Sequence, residues 1–254
     1  MNERYLSISE SLKAGFQLWS KHFKKIIIVG LLVYIPVQVL IELISVLFTD
    51  GTAMDLSNDD FSTMNNLYNL IRGLIGSIAT LAILGFTLTN LDDEKELSIQ
   101  DSLKIGFSKW GTYIVVRISA GIKVFLYLLM LVVPGVIKSV QYSFIDCVVV
   151  SGKNSMKDEC DESTELVENN WWNVFGLVII LFVVQAAIEA LFLVVLNSYV
   201  DNHIISIVGG VIVCLLQSYT IVVKAHYFYT LRSLKTKPLE EVESIGEPMA
   251  VKSV

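Results

Sequence analysis

The chain has 254 residues, of which 54% are apolar and only 17% are charged, and its mean hydropathy is +0.61. This composition is too apolar for an ordinary soluble domain of this size and is typical of an integral membrane protein. The net charge of −6 gives no support for nucleic acid as a partner, and the three cysteines lack the spacing of a disulfide framework or a CxxC metal site.

Six apolar stretches predict transmembrane helices, since a hydrocarbon core of about 30 Å needs about 20 helical residues. They cover residues 26–48, 67–91, 113–133, 136–150, 171–196 and 204–229, and the fourth is the shortest. Pro134 and Gly135 separate the third stretch from the fourth, and this turn signal predicts a tight hairpin at that point. Residues 1–25 are polar and amphipathic, unlike a signal peptide, so we expect the first span to be retained.

The distribution of lysine and arginine predicts the orientation of the spans. Segments expected on one side carry fourteen basic residues: Arg4, Lys13, Lys21, Lys24, Lys25, Lys95, Lys104, Lys109, Lys153, Lys157, Arg232, Lys235, Lys237 and Lys252. The segments expected on the other side, residues 49–66 and 197–203, contain no lysine or arginine. The positive-inside rule therefore predicts that both termini lie in the cytoplasm.

A sequence repeat precedes the first and third spans. Residues 6–19 read LSISESLKAGFQLW and residues 97–110 read LSIQDSLKIGFSKW, with nine identities in fourteen positions. Each copy opens with a serine and an acid at the spacing of a helix start, and its apolar positions recur every three or four residues. Each copy therefore predicts an amphipathic helix that leads into a span.

A weaker third copy covers residues 155–172, with acidic residues on much of its surface. One helical face collects its less polar residues, namely Met156, Cys160, Ser163 and Val167. We interpret the acidic face as solvated, in preference to a dedicated cation or partner site. All the tryptophans lie where an amphipathic segment meets an odd-numbered span, which is typical of interfacial anchors: Trp19, Trp110, Trp171 and Trp172.

Three units result, each an amphipathic helix followed by a hairpin of two spans. They cover about residues 6–91, 97–150 and 155–232. Because all three start on the same side of the membrane, they are predicted to be parallel repeats about an axis near the membrane normal. The expected fold class is an all-α integral membrane protein with six transmembrane helices in one domain, residues 1–236, followed by a flexible cytoplasmic tail, residues 237–254.

Polar side chains inside the predicted spans are the candidate site, because a charge near the bilayer centre costs about 2.5 to 3.5 kcal/mol and usually faces a cavity or a partner. The candidates are Gln38, Glu42, Arg72, Arg117, Lys123, Asp146, Gln185 and Glu189, and the first two recur in the fifth span as the last two. Similar depth predicts three pairs: Glu42 with Arg72, Arg117 with Asp146, and Lys123 with Glu189. Lys138 and Lys224 lie nearer the interfaces and are expected to snorkel. Such pairs either hold helices together or line a polar path or lipid-headgroup pocket.

Three further stretches carry a family resemblance: residues 133–144 (VPGVIKSVQYSF), 163–176 (STELVENNWWNVFG) and 227–232 (YFYTLR). They resemble the YciC-like membrane proteins and the related membrane domain that precedes some glycerophosphoryl diester phosphodiesterases. The resemblance covers nearly the whole chain and implies a six-helix protein of the bacterial cytoplasmic membrane. It does not imply phosphodiesterase activity, since only 22 residues follow Arg232 here. The acidic third amphipathic helix is a departure from the family pattern.

No HExxH, P-loop, GxGxxG or GxSxG motif occurs, and no set of cysteines and histidines has metal-ligand spacing, so we expect no enzymatic activity, no metal and no cofactor. Two functions remain open. The first is transport or lipid handling through the polar interior, with membrane lipids as partners. The second is a non-transporting accessory, immunity-like or scaffold subunit that binds another membrane protein. An intramembrane hydrolase ranks last, because the sequence does not place a nucleophile beside a base.

Overall fold

The structure is a computed structural model, and it describes residues 7–50, 58–93, 97–152, 158–197 and 203–236. The predicted tail, residues 237–254, lies outside the described residues. Within the described ranges the chain forms nine α-helices and no strand, which confirms the all-helical prediction there. The helices are α1 (Ile8–Lys21), α2 (Phe23–Asp50), α3 (Asn58–Asp93), α4 (Ile99–Met130), α5 (Val132–Gln141), α6 (Ile145–Ser151), α7 (Glu159–Glu168), α8 (Trp171–Asn197) and α9 (His203–Thr236).

Several of these helices are suited to a bilayer. Among the described residues, three segments are long and apolar enough to cross one: Gly73–Asp92, Ile99–Met130 and Val132–Ser151. Helices α7 and α8 meet at an angle of 105° and together would make a fourth segment. Four of the six predicted stretches fall entirely on helix, and the third and fourth are helical except at two turns. Length and composition support three to four spans in the described part of the chain.

The hairpin predicted between the third and fourth spans is present, but its turn lies at Leu131, not at Pro134–Gly135. Leu131 is extended, with φ −162° and ψ 143°, and it alone separates α4 from α5. Pro134 lies in the first turn of α5, where a helix does not use the missing N–H group. Gly135 packs directly against Leu128, so the absence of a side chain allows α4 and α5 to approach closely. The Pro-Gly pair therefore starts a helix instead of forming the turn.

The fourth predicted span is not one continuous helix. Helix α5 ends at Gln141 and α6 begins at Ile145, with Tyr142–Phe144 forming a turn between them. Backbone bonds from Ser143 N–H to the Val140 carbonyl and from Ile145 N–H to the Tyr142 carbonyl hold this turn at 3.1 and 3.4 Å. The break redirects the side chains of α6 relative to those of α5.

The predicted N-cap residues do not all form a cap hydrogen bond. Ser98 is the N-cap of α4, and its hydroxyl accepts a hydrogen bond from the Asp101 N–H at 3.1 Å, as the sequence predicted. Ser7 is the N-cap of α1, yet its hydroxyl bonds that of Ser9 and makes no cap bond. In the third copy Asp158 takes this role and accepts from the Cys160 N–H at 3.2 Å.

Small residues mediate the contacts of the amphipathic helices with their neighbours. Helix α1 packs on α9 through Gly15, where an added Cβ would lie 2.6 Å from Cγ2 of Val223. The first part of α4 packs on α3 through Gly106, where an added Cβ would lie 2.7 Å from the Ile78 carbonyl oxygen and 3.0 Å from Cβ of Ala82. Close approach of backbones through small residues is a common way for helices to associate in lipid.

The buried core lies where α3, α5, α6, α7, α8 and α9 meet. Its largest fully buried side chains include Phe144, Tyr227 and Phe228, and the rings of Phe144 and Tyr227 are stacked with centroids 6.1 Å apart. The outer part of the α4–α5 hairpin is different, since apolar side chains such as Phe125, Met130 and Leu131 are exposed there. This surface is suited to contact with lipid tails.

Substitution of Gly106 by alanine is expected to lower stability by about 1 to 3 kcal/mol, because the new methyl group meets a backbone oxygen that cannot rotate away. Thermal unfolding in detergent measures the effect. Gly111→Ala is the matched control, since nothing lies within 4 Å of its added Cβ, and helix propensity predicts a neutral or slightly stabilising change. Equal effects at the two glycines would contradict the close contact at Gly106.

Candidate functional site

A cluster of four polar side chains lies between α4, α6 and α9. It consists of Tyr113, Arg117, Asp146 and Lys224, and we call it the α4–α6–α9 cluster. Asp146 is 8% exposed, and its carboxylate accepts a hydrogen bond from Lys224 Nζ at 2.7 Å. The second carboxylate oxygen accepts from the Cys147 backbone N–H at 3.1 Å. Both oxygens of this nearly buried carboxylate are therefore satisfied.

The fold explains why Asp146 is buried. It lies in the first turn of α6, directly after the Tyr142–Phe144 turn, and its neighbours Ile145 and Cys147 are fully buried. Lys224 lies between buried residues of α9, with Val223 and Ala225 at 0% exposure. A buried charge is costly unless it is paired and hydrogen-bonded, so the two charged groups stabilise each other's position.

The pairing differs from the sequence prediction in two respects. Asp146 was expected to pair with Arg117, and Lys224 was expected to snorkel to the interface, whereas the structure pairs Asp146 with Lys224. Arg117 is exposed on α4 and forms no ion pair with any residue that the structure describes. Tyr113, one turn before it, lies within electrostatic reach of Arg117, Asp146 and Lys224. Asp146 thus has one cationic partner, Lys224, and Arg117 adds a second positive charge that is not paired within the described part of the chain.

Lys123 forms a second ion pair, which connects α4 to the start of α7. Its ammonium donates to the Asp158 carboxylate at 2.9 Å, and Asp158 is also the N-cap of α7. The hydrogen bond from Lys123 lowers the pKa of Asp158, and the bond from the Cys160 N–H adds to this effect, while partial burial opposes it. The predicted partner, Glu189, has its side chain outside the described residues, and the observed partner is a residue of the loop before α7.

Lys138 lies between two tyrosines and does not extend freely. Its Nζ is 5.7 Å from the ring centroids of both Tyr127 and Tyr142, which is cation–π distance. No acid pairs with it among the described residues. Tyr127 belongs to α4 and Tyr142 follows α5, so this lysine joins the two sides of the hairpin.

Several buried polar atoms near the α5–α6 turn and on α9 have no hydrogen-bond partner within the described part of the chain. They are Gln141 Oε1, Ser143 Oγ, His226 Nδ1 and the Tyr227 hydroxyl. Buried polar groups nearly always bond protein or ordered water, so these atoms indicate room for water or a polar ligand close to the core. These residues were not predicted from the sequence because none of them carries a full charge, although Gln141, Ser143 and Tyr227 belong to the stretches that carry the family resemblance.

The remaining predicted site residues are not assembled by the described structure. The side chains of Gln38, Glu42, Arg72 and Glu189 lie outside the described residues, so the pairing of Glu42 with Arg72 stays a prediction. Gln185 lies on α8 and is half-buried. The structure instead shows a polar link that the sequence did not predict, from the Tyr34 hydroxyl on α2 to Gln217 Oε1 on α9 at 2.9 Å.

The tryptophans divide into two kinds. Trp19 Nε1 donates to Ser218 Oγ at 2.9 Å, and Trp110 Nε1 donates to the Leu74 carbonyl at 2.9 Å and to Ser77 Oγ at 3.0 Å. Their indole N–H groups therefore bond a neighbouring helix. Trp172 is 76% exposed, and Trp171 stacks on Phe175 with centroids 5.1 Å apart. In this set Trp172 has the exposure expected of an interfacial anchor.

Comparison with protein-family models, curated proteins and solved structures gives no match to this chain. Among the described residues, no three histidine, cysteine or acidic side chains are grouped in a way that would hold a metal ion.

Removing the carboxylate of Asp146 is expected to destabilise the fold by about 3 kcal/mol, because Lys224 would remain partly buried and unpaired. Thermal or denaturant unfolding of Asp146→Asn in detergent measures this loss. The double variant Asp146→Asn with Lys224→Met removes both charges and should recover most of it. Additive losses in the two single variants and the double variant would contradict a direct interaction.

The Lys123–Asp158 pair predicts a dependence of stability on pH. Since the pKa of Asp158 is lowered from 3.8 in the folded protein, its stabilising contribution is present above pH 4 and is lost as the pH falls through the lowered value. The difference in melting temperature between the parent and Lys123→Met should be constant from pH 5 to 8 and should shrink progressively as the pH falls below 4. A difference that persists unchanged at pH 3 would show that the lysine acts through its packing alone.

Proposed function

We propose that the chain is a six-span protein of the bacterial cytoplasmic membrane, built as three parallel repeats with both termini in the cytoplasm and related to the YciC-like proteins. The span-length segments and the positive-inside distribution support this architecture. The family motifs in residues 133–144 and 163–176 support the relationship.

Equivalent contacts in the first two units also support the repeat. Trp19 and Trp110 occupy the same position in residues 6–19 and 97–110, and each donates its indole N–H to a serine of another helix, Ser218 or Ser77. If those serines are placed in register, Val223 corresponds to Ala82. These are the residues that contact Gly15 and Gly106, which are themselves equivalent. In these two units the amphipathic helix packs on the second span of another unit, α1 on α9 of the third unit and α4 on α3 of the first. A closed ring of three units would have such contacts.

For the function we propose lipid handling: the α4–α6–α9 cluster binds the anionic headgroup of a membrane lipid and lets it move along the polar interior. The observation that carries this proposal is the exposed Arg117, which has no acidic partner in the described part of the chain and which, like the paired Asp146 and Lys224, lies within electrostatic reach of Tyr113. An arginine without an acidic partner on an apolar helix is costly, and a lipid phosphate would compensate its charge with bidentate hydrogen bonds.

The other groups have complementary roles in this proposal. Asp146 keeps Lys224 in position and keeps the net charge of the cluster low enough for the headgroup to leave again. The polar atoms of Ser143 and Tyr227 would bond water or headgroup hydroxyls once lipid is bound. Gln38 and Glu42, with their counterparts Gln185 and Glu189, extend the polar path through the first and fifth spans in the sequence-based arrangement.

The test is the movement of fluorescent phosphatidylglycerol across proteoliposomes, followed by chemical quenching of the outer leaflet. Arg117→Gln should slow the movement about tenfold, the loss expected for one charge-assisted hydrogen bond, and Arg117→Lys should retain part of the rate. Lys21→Gln removes the same charge at an exposed position of α1 and should leave the rate unchanged. The double variant Glu42→Gln with Glu189→Gln tests the rest of the path.

If the parent moved no lipid faster than empty vesicles did, lipid handling would be wrong. Recovery of a second membrane protein from the native membrane in mild detergent would then support the alternative, an accessory or scaffold subunit.

A further inference from the structure

The first and second amphipathic helices carry open surface grooves at equivalent positions. On α1 the groove is lined by Leu12, Lys13, Phe16 and Gln17, with Tyr219 of α9. On α4 it is lined by Gln100, Leu103, Lys104, Phe107 and Ser108. Leu12, Lys13, Phe16 and Gln17 occupy the repeat positions of Leu103, Lys104, Phe107 and Ser108, so two sites of the same design occur on one molecule.

Each groove combines an exposed phenylalanine with a lysine one turn away. Phe16 is 54% exposed and Phe107 is 62% exposed, although both are large apolar side chains. Each lies three residues before the tryptophan that bonds a neighbouring helix, Trp19 or Trp110. The opposite face of each helix is occupied by protein contacts through Gly15 or Gly106. In the proposed topology the outward face would meet the membrane where the amphipathic helix leads into its span.

The lysines are available for an anion. Lys13 is exposed and has no ion pair among the described residues, and the acid one turn before it, Glu10, is exposed as well. Lys104 pairs with Asp101 at 3.2 Å, but its side chain is 76% exposed. Exposed pairs of this kind contribute little to stability, so a headgroup phosphate is able to compete for Lys104.

The third amphipathic helix lacks this design. The buried serines Ser11, Ser102 and Ser163 align the three copies. In that register Glu165 replaces the lysine of the groove and Glu168 replaces the phenylalanine. Glu165 is already paired with Lys235 at 3.3 Å. The third helix therefore repels anions where the first two attract them.

We propose that the grooves of α1 and α4 are two equivalent binding sites for anionic phospholipid of the cytoplasmic leaflet. The lysine binds the headgroup phosphate, and the phenylalanine with the groove leucine contacts the first part of an acyl chain. Basic residues at a membrane surface contribute about 1 kcal/mol each to the binding of anionic lipid, and interfacial helices add apolar contacts on the other side. The sites do not depend on the α4–α6–α9 cluster.

The test is the number of lipids retained by the full chain in mild detergent, counted by native mass spectrometry with phosphatidylglycerol and phosphatidylethanolamine of identical acyl chains. We expect phosphatidylglycerol to be preferred. The number of tightly bound molecules should fall by one in Lys13→Gln, by one in Lys104→Gln and by two in the double variant. Loss of each lysine should weaken its site about fivefold, the equivalent of about 1 kcal/mol.

Two kinds of control keep the result specific. Lys13→Arg and Lys104→Arg should retain the full number, and Lys24→Gln, which removes a charge at an exposed position outside the grooves, should also retain it. Soluble glycerophosphoglycerol, which has the headgroup without the chains, should not displace the bound lipid at equal concentration. Displacement by that compound would overturn the assignment to lipid.

Equal losses in Lys24→Gln and Lys13→Gln, or equal retention of the two lipids by the parent, would overturn the proposal. Melting temperatures in detergent without added lipid should match the parent for these exposed variants, which excludes misfolding as the cause of a lower count. The number of bound lipids is independent of the rate of lipid movement. In the background of Arg117→Gln, each groove lysine variant should still lower the number of bound lipids by one. Failure of lipid movement and failure of groove binding are therefore distinguishable.

Discussion

Close packing between helices is the constraint on which the described structure depends. In lipid, apolar surface is as well solvated outside the bundle as inside it, so helices associate mainly through tight contacts and polar bonds. Gly15 on Val223 and Gly106 on Ala82 supply the tight contacts, and the indole bonds of Trp19 and Trp110 lie one turn further along the same helices. A side chain at either glycine would separate the helices and stretch the neighbouring hydrogen bond.

Charged pairs supply the second level of organisation, and several of them connect segments that are distant in the chain. Asp146 and Lys224 connect α6 to α9, and Lys123 and Asp158 connect α4 to the start of α7. At the end of the bundle, Lys235 of α9 pairs with Glu165 of α7. Arg232 of α9 also lies 4.0 Å from the carboxylate of Glu162, so the acidic face of α7 is only partly solvated.

Helix positions were predictable from the sequence, whereas the partners of the charged side chains were not. Long apolar stretches and a repeat of period three to four define helices, and these coincide with the described elements. Pairing by depth assumed straight, continuous spans. The Tyr142–Phe144 turn breaks that assumption, because it re-aims α6 and brings Asp146 to Lys224 instead of Arg117. Pro134 and Gly135 correctly predicted a hairpin, but its turn lies three residues earlier, at Leu131. Pro134 itself lies in the first turn of α5, where a proline is compatible with a helix.

The three amphipathic helices differ in charge on their outward faces. Each buries one serine against its neighbours, namely Ser11, Ser102 and Ser163. The outward face changes from lysine with phenylalanine in the first two copies to two glutamates in the third. In the proposed arrangement of three parallel units, this reversed charge would make the bundle electrostatically asymmetric around its axis. Anionic lipid would therefore gather beside α1 and α4 and be repelled beside α7. The α4–α6–α9 cluster includes Arg117 of α4, which lies ten residues beyond Phe107 on the same helix. Lipid that gathers beside α4 would therefore approach the bundle on the side where the cluster lies. Three identical units would not favour one side over the others.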